Sequence, residues 1–193
     1  MESFDKIKIF ISQMIQIPPP EWLHLVPLLK IKHILKDTYY FKQGDSVYEI
    51  GFVVKGLLYN FYTKADGEEL VKYFIPEGKL VAAYSSLILN QPAFYSCKTL
   101  EDTTLVTIQY SDLLNLYKRN ACWEKMGRIN AEKQYIEKEL REYQFLAHSA
   151  LERYEFFVKE NKHILNRIPQ YLIASYLGMS PVSLSRIRNP NNK

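Results

Sequence analysis

QYLIASYLGMSPVSLSRIRN, residues 170–189, reads as two short helices joined by a tight turn. Ile173, Leu177, Met179, Leu184 and Ile187 supply apolar positions at helical spacing across both helices. Ala174 falls where one helix crosses the other and only a small side chain fits. Gly178 falls in the turn, where a left-handed backbone suits a residue without Cβ. Ser180 can cap the second helix, and Pro181 then takes its first turn, where a missing N–H costs nothing. An αα-corner in a helical core would share the apolar spacing. Small residue, turn glycine and cap in this order favour a helix-turn-helix.

Charge gathers on the same segment. Residues 1–110 hold 11 Lys/Arg and 12 Asp/Glu, and residues 111–160 hold nine of each. Residues 161–193 hold Lys162, Arg167, Arg186, Arg188 and Lys193 with no acid. A basic end that attracts phosphates is what nucleic-acid binding requires.

Just upstream, Ser149 and Glu152 form a capping-box pattern at the start of SALERYEFFVKENK. Before it, Cys122, Met126, Ile129, Lys133, Ile136, Leu140, Tyr143 and Ala147 alternate by four and three residues, a heptad seam. A seam this narrow suits a dimer helix better than a helix lying on its own domain. Trp123 and Leu146 flank it and are expected to pack on the domain upstream. Glu132, Glu137, Lys138, Glu139, Arg141 and Glu142 read as solvated.

From Ile31 to Tyr110 the texture is β: HILKDTYYF, EIGFVVKG, LLYNFYT, LVKYFI and TTLVTIQY. Gly44, Gly56, Gly67 and Gly78, spaced 12, 11 and 11 apart, punctuate these runs. That spacing predicts an antiparallel sandwich, barrel or roll, with Asp66-Gly67 a hairpin turn. Leu80 to Tyr95 breaks the rhythm and predicts a short helix and loop, a place where a ligand could sit. Residues 3–16 place Phe4, Ile7, Phe10, Ile11, Met14 and Ile15 on one helical face, which Pro18-Pro19-Pro20 stops. Glu21 to Leu29 predicts a second short helix, interrupted at Pro27.

Two cysteines, Cys97 and Cys122, are too few for a disulfide scaffold or a cluster and read as reduced structural thiols. His24, His33, His148 and His163 lie in different elements without metal-ligand spacing. There is no Walker or dinucleotide glycine motif, and no catalytic constellation. No stretch has the apolar length of a membrane span and the amino terminus lacks a signal-peptide core, so a cytoplasmic, non-enzymatic protein is expected.

A glycine-punctuated β-roll, a long heptad helix and a terminal basic helix-turn-helix, in this order, resemble the Crp/Fnr family of bacterial transcription regulators. The most specific parts are LERYEFFVKENKHILNRIPQYLIASYLGMSPVSLSRIR and, more loosely, FKQGDSVYEIGFVVKGLLYNFY. The fold class expected is α+β, with amino-terminal helices, an antiparallel double-stranded β-roll, a long helix and a small all-α domain. The expected divisions are residues 1–120 as a cyclic-nucleotide-binding-like sensor, 121–148 as dimer helix and 149–193 as DNA-binding domain. The resemblance implies a homodimer whose second terminal helix enters the major groove of DNA, with RNA polymerase as a further partner. No cofactor and no membrane partner are expected. The dimer interface falls to Met126, Ile129, Lys133, Ile136, Leu140 and Tyr143.

Two departures narrow this expectation. Cyclic-nucleotide binders of the family use a glycine-glutamate pair and a later arginine; here Ala82-Ala83 stand at the pair and Ala93 or Phe94 at the arginine. The nearest cation in that stretch, Lys98, is placed beyond it. Without a carboxylate for the ribose or a guanidinium fork for the phosphate, a cyclic nucleotide is not expected to bind. The iron–sulfur branch is excluded by its missing cysteine cluster. An effector of unknown chemistry, apolar or otherwise, would lie among Tyr59, Phe61, Tyr73, Ala82, Ala83 and Phe94, or the roll takes none.

In the second helix Val182 stands where family members often have a glutamate, whereas Ser185 and Arg186 match. Arg186 is the expected guanine reader, because a guanidinium fits the two acceptors on that base edge. Val182 could meet a thymine methyl, Ser180 and Ser183 a phosphate or base edge, and Arg188, Arg167 and Lys162 phosphates. No counterpart of the family's winged extension is expected after Arg188. A second expectation therefore stays open, a ligand-sensing or protein-interaction module whose helix-turn-helix has lost tight DNA reading.

Overall fold

The computed structural model describes residues 2–189; Pro190–Lys193, and with them the charge expected of Lys193, lie outside the described residues. Helix α1 (Glu2–Ser12) and helix α2 (Pro19–Leu25) lead, through a 3-10 turn at Val26–Leu28, into eight strands. These are β1 (Lys30–Ile34), β2 (Tyr39–Phe41), β3 (Glu49–Lys55), β4 (Leu58–Thr63), β5 (Glu69–Ile75), β6 (Leu80–Val81), β7 (Ser96–Thr99) and β8 (Thr103–Gln109), with helix α3 (Tyr84–Leu89) between β6 and β7. Helix α4 (Tyr110–Arg119), the long helix α5 (Ala121–Ala147), and helices α6 (Ala150–Glu160), α7 (Gln170–Leu177) and α8 (Pro181–Arg188) complete the chain.

The strands form two antiparallel four-stranded sheets, ordered β1-β8-β3-β6 and β2-β7-β4-β5. Phe41, Val53, Leu58, Ile75, Val81, Ala83, Tyr95, Cys97 and Leu105 fill the space between them. Helices cover both outer faces. On the first sheet Phe52, Val54 and Val106 meet Ile7, Ile11, Leu25, Leu116 and Trp123. On the second sheet Tyr59, Phe61 and Val71 meet Phe157, Ile164, Ile168, Leu172, Ile173 and Leu184. This is why EIGFVVKG and LLYNFYT read as continuous apolar runs rather than alternating ones.

The expected α+β class and glycine turns are present, and Gly44, Gly56, Gly67 and Gly78 all have positive φ. Gly56 shows the constraint best. At its φ of +105° a Cβ would also sit 2.8 Å from Thr103 Cα.

Several boundaries differ from expectation. HILKDTYYF is not one strand: the chain crosses between the sheets at Asp37, whose φ is 59°. A short aspartate tolerates that left-handed turn, and its N–H is satisfied by Thr99 O at 3.1 Å. Helix α1 ends at Ser12 rather than residue 16, followed by a turn in which Met14 N and Ile15 N both donate to Ile11 O, at 2.9 and 3.0 Å. The prolines then begin α2 instead of merely ending α1. Trp123 is fully buried as expected, with Nε1 donating to Glu21 at 2.8 Å, but Leu146 is 81% exposed and packs on nothing upstream. It sits at the far end of α5, where the helix has run past the first sheet.

Candidate nucleic-acid interface and sensor interior

Helix α7 and helix α8 form the paired unit that the sequence describes. Gly178 ends α7 at φ 67°; its N–H donates to Ser175 O at 3.1 Å and that of Met179 to Ala174 O at 3.0 Å, the paired bonds of a Schellman ending. A Cβ at Gly178 would lie 2.7 Å from the Phe145 ring of α5, so a larger residue there would have to move that ring aside. Ser180 Oγ accepts from Ser183 N at 3.1 Å and caps α8, with Pro181 in its first turn. Leu172, Ile173, Ala174, Leu177 and Leu184 are buried.

What α8 leaves outside is the surface expected to read DNA. Ser180, Val182, Ser185, Arg186 and Arg188 are exposed and Ser183 is half-buried. Among the described residues no carboxylate pairs with Arg186 or Arg188. Lys162 is exposed as well, but Arg167 is not free. Its guanidinium donates from Nε to Glu101 Oε1 at 2.8 Å, from Nη2 to Glu101 Oε2 at 2.6 Å and Glu77 Oε1 at 2.9 Å, and from Nη1 to Glu77 Oε2 at 3.0 Å. Partial burial pushes the Glu77 carboxyl up, but the bonds from Arg167 and from backbone N–H groups outweigh it and hold the group below its ordinary range. Those same carboxylates raise the Arg167 pKa.

Two further side chains tie α7 to the roll. Strand β5 is an edge strand, so its outward N–H and C=O groups need partners. Ser175 Oγ accepts from Val71 N at 3.0 Å and donates to Glu69 O at 2.7 Å. A bulge at Lys72 frees more carbonyls, since Asn60 pairs with Tyr73 while Phe61 pairs with Val71. Arg141 of α5 reaches them, donating to Lys72 O, to Val71 O at 3.2 Å, and to Tyr176 O of α7 at 3.0 Å. It stacks 4.2 Å from the Tyr176 ring centre. Arg141 was expected among solvated positions; the neighbouring helix and strand edge, distant in sequence, bury it. Ser175 and Arg141 carry no local sequence signal for this task.

The heptad seam divides. Met126 packs into the core beside Trp123, and Ile129 is half-buried. Lys133, Ile136, Leu140 and Tyr143 are exposed, together with Tyr135.

The residues named for an effector do not share one cavity. Tyr59 and Phe61 point outward under α6–α8, stacked at 5.0 Å, while Ala83 and Tyr73 belong to the interior between the sheets. Phe94 is exposed, and Ala82 O accepts from Tyr95 OH at 2.9 Å. Two open hollows of about 450 and 430 Å³ lie instead around the Ser46–Tyr48 loop, the second reaching α3 at Ser86 and Leu87.

A half-buried cation, Lys72, lies against the rings at the edge of the interior. Its Nζ sits 4.0 Å from the Tyr95 ring centre, with Tyr62 and Tyr73 beside it, whereas Lys98 lies over Tyr39. Burial, with Lys138 and Arg141 nearby, lowers its pKa to about 8. Close by in the sheet, Asn60 Oδ1 is buried without a partner. Cys97 is fully buried and its thiol pKa is pushed up, which leaves it protonated and inert. Among the described residues no cluster of His, Cys, Asp or Glu could hold a metal, and no helix is long and apolar enough to cross a membrane.

Comparison with known proteins places this geometry. Residues 31–120 match the family model of the cyclic nucleotide-binding domain. No curated protein sequence matches the chain. Among solved structures, FixK2 from Bradyrhizobium japonicum superposes with a TM-score of 0.73 at 17% identity, covering 84% of this chain and 83% of that one. The c-di-GMP responsive global regulator CLP of Xanthomonas campestris gives 0.68 at 15% identity, with 90% and 91% covered. The catabolite activator protein of Thermus thermophilus gives 0.54 at 20% identity, with 90% and 83% covered. Residues 31–120 are thus similar to the cyclic nucleotide-binding domain, and the chain as a whole shares the fold of these three regulators.

Proposed function

We propose that this protein is a homodimeric, sequence-specific DNA-binding transcription regulator, cytoplasmic and without enzymatic activity. The observation that carries the reading is α8: its apolar side is buried through Leu184, and its outer side presents Val182, Ser185, Arg186 and Arg188 with no acid to neutralise them. Residues 1–120 serve as sensor, 121–148 as dimer helix and 149–193 as DNA-binding domain. The exposed stripe Ile136, Leu140 and Tyr143 supports pairing of two α5 helices. Such a dimer reads two half-sites about one helical turn apart. Ala82-Ala83, and a stretch from there to Lys98 that holds no arginine, speak against a cyclic nucleotide as effector.

The test is Arg186→Ala, measured on a selected operator and on random duplex at fixed salt. Specific binding should weaken by about 1–3 kcal/mol relative to random DNA, with the dimer intact. Unchanged preference removes Arg186 as reader. A complete lack of salt-dependent DNA binding by the unaltered chain favours the second reading, a sensing or protein-interaction module, which the engagement of Arg167 by Glu77 and Glu101 also supports.

A further inference from the structure

Arg167 closes the 3-10 turn Leu165–Arg167, immediately ahead of α7. In helix-turn-helix docking the first helix crosses the DNA backbone, so its approach is a place for a phosphate contact. Here the guanidinium instead spans two carboxylates of the roll. Glu77 stands in the turn between β5 and β6, and Glu101 in the turn between β7 and β8. Glu77 is pre-set, since its Oε1 also accepts from Gly56 N at 2.9 Å. Together the two acids offer four anionic oxygens to one planar fork. Phosphate oxygens present the same chemistry, and guanidinium binds carboxylate and phosphate through the same paired bonds.

The clasp is also within reach of a competitor. The side chains of Arg167, Glu77 and Glu101 are 28%, 39% and 35% exposed, so solvent and a phosphate backbone have access to it. Lys162, Arg186 and Arg188, the other described cations of this segment, have no carboxylate partner. The chain's own acids therefore neutralise one cation of the basic end, at the mouth of its helix-turn-helix.

We propose that Glu77 and Glu101 act as internal stand-ins for DNA phosphate: they hold Arg167, and with it the start of α7, until a phosphate backbone competes for the guanidinium. The proposal rests on the DNA-binding reading above. It makes the sensor domain a brake on DNA affinity, acting through one residue.

The experiment uses the full chain with Glu77→Gln and Glu101→Gln, singly and together, against random duplex over a salt series. Glutamine keeps an acceptor at each position, which preserves the fold while removing the charge. Freeing Arg167 should tighten binding several-fold at low salt and steepen the slope of log K against log salt by about 0.9 for each freed arginine. In an Arg167→Ala background the same changes should give no gain. A gain that persists without Arg167 is bulk charge removal and overturns the clasp, as does an unchanged slope. Hydrogen exchange supplies a readout free of DNA: residues 161–177 and the Val71 amide, which donates to Ser175, should exchange faster in the double variant. Unaltered exchange there overturns the clasp while leaving DNA binding untouched. Absence of DNA binding in every form overturns the function reading, and the stand-in role with it.

Discussion

The outer face of the β1-β8-β3-β6 sheet is covered by α1, α2 and the start of α5; the outer face of the β2-β7-β4-β5 sheet is covered by α6, α7 and α8. The first cover is sealed mainly by apolar side chains, Ile7, Ile11, Leu25 and Leu116 among them, together with rings. Phe10 lies 5.0 Å from Phe52, Trp22 meets Trp123 edge-on at 6.1 Å, and Trp123 donates to the buried Glu21. The second has an apolar centre too, with Phe74, Phe157 and Tyr176 mutually within 6.0 Å, but polar clasps rim it. Arg167 on two glutamates, Ser175 on the edge of β5 and Arg141 on three carbonyls hold it there. A cover held by apolar burial leaves only by unfolding. A cover rimmed by partly exposed charges meets competition from other anions, which suits the part of the molecule proposed to engage DNA.

Removing rings under the second cover should have the largest effect. Phe61→Ala should cost about 3–5 kcal/mol by denaturant titration, since Phe61 is fully buried between sheet and helices. It should also speed exchange across α7 more than Leu58→Ala does, because Leu58 faces the interior between the sheets. Equal effects on α7 would erase the distinction between the faces. Next comes Ser175→Ala, which strips both partners from the β5 edge and should cost about 1–3 kcal/mol. A loss below the scatter of a surface substitution would show that water replaces the hydroxyl without penalty.

Lys72 gives a smaller effect with a definite sign. Its folded pKa of about 8 lies below the ordinary lysine value, so the unfolded chain binds more protons above pH 8. Stability should therefore rise from about pH 8 towards pH 10, before tyrosines such as Tyr95, whose pKa is raised by burial, reverse the trend. Lys72→Met should flatten that rise in a pH series of melting temperatures; an unchanged slope would assign it to another group. The smallest loss belongs to Ser149→Ala. The Ser149–Glu152 capping box starts α6, and its removal should cost about 1 kcal/mol in the same melts.

Local pattern made much of the second cover legible while leaving its seat hidden. Gly178, Ser180 and Pro181 each have a backbone task that their chemistry announces, and each performs it. The Ser149 capping box and the glycine turns of the roll are of the same kind. Arg141 was read as solvated because a helical wheel shows only its own helix. Nothing local says that a bulge in β5 will leave carbonyls within its reach. Tyr59 and Phe61 were placed at the effector for a similar reason, since strand alternation separates two faces without telling which is inside.

The residues announce the elements that depend on nearest neighbours: the capped helices, the glycine turns, the order of roll, long helix and paired terminal helices, and the basic end without acids. Tertiary structure alone decided that α7 would close the edge of β5 and that Arg167 would meet Glu77 and Glu101 rather than stand free. It likewise decided that Lys72 would set its ammonium against the Tyr95 ring. The physical reason is the same in each case. Capping and turn preferences are settled within about one helical turn of chain, whereas a buried edge or a shared guanidinium is settled by whichever distant groups the packed layers bring within hydrogen-bond reach.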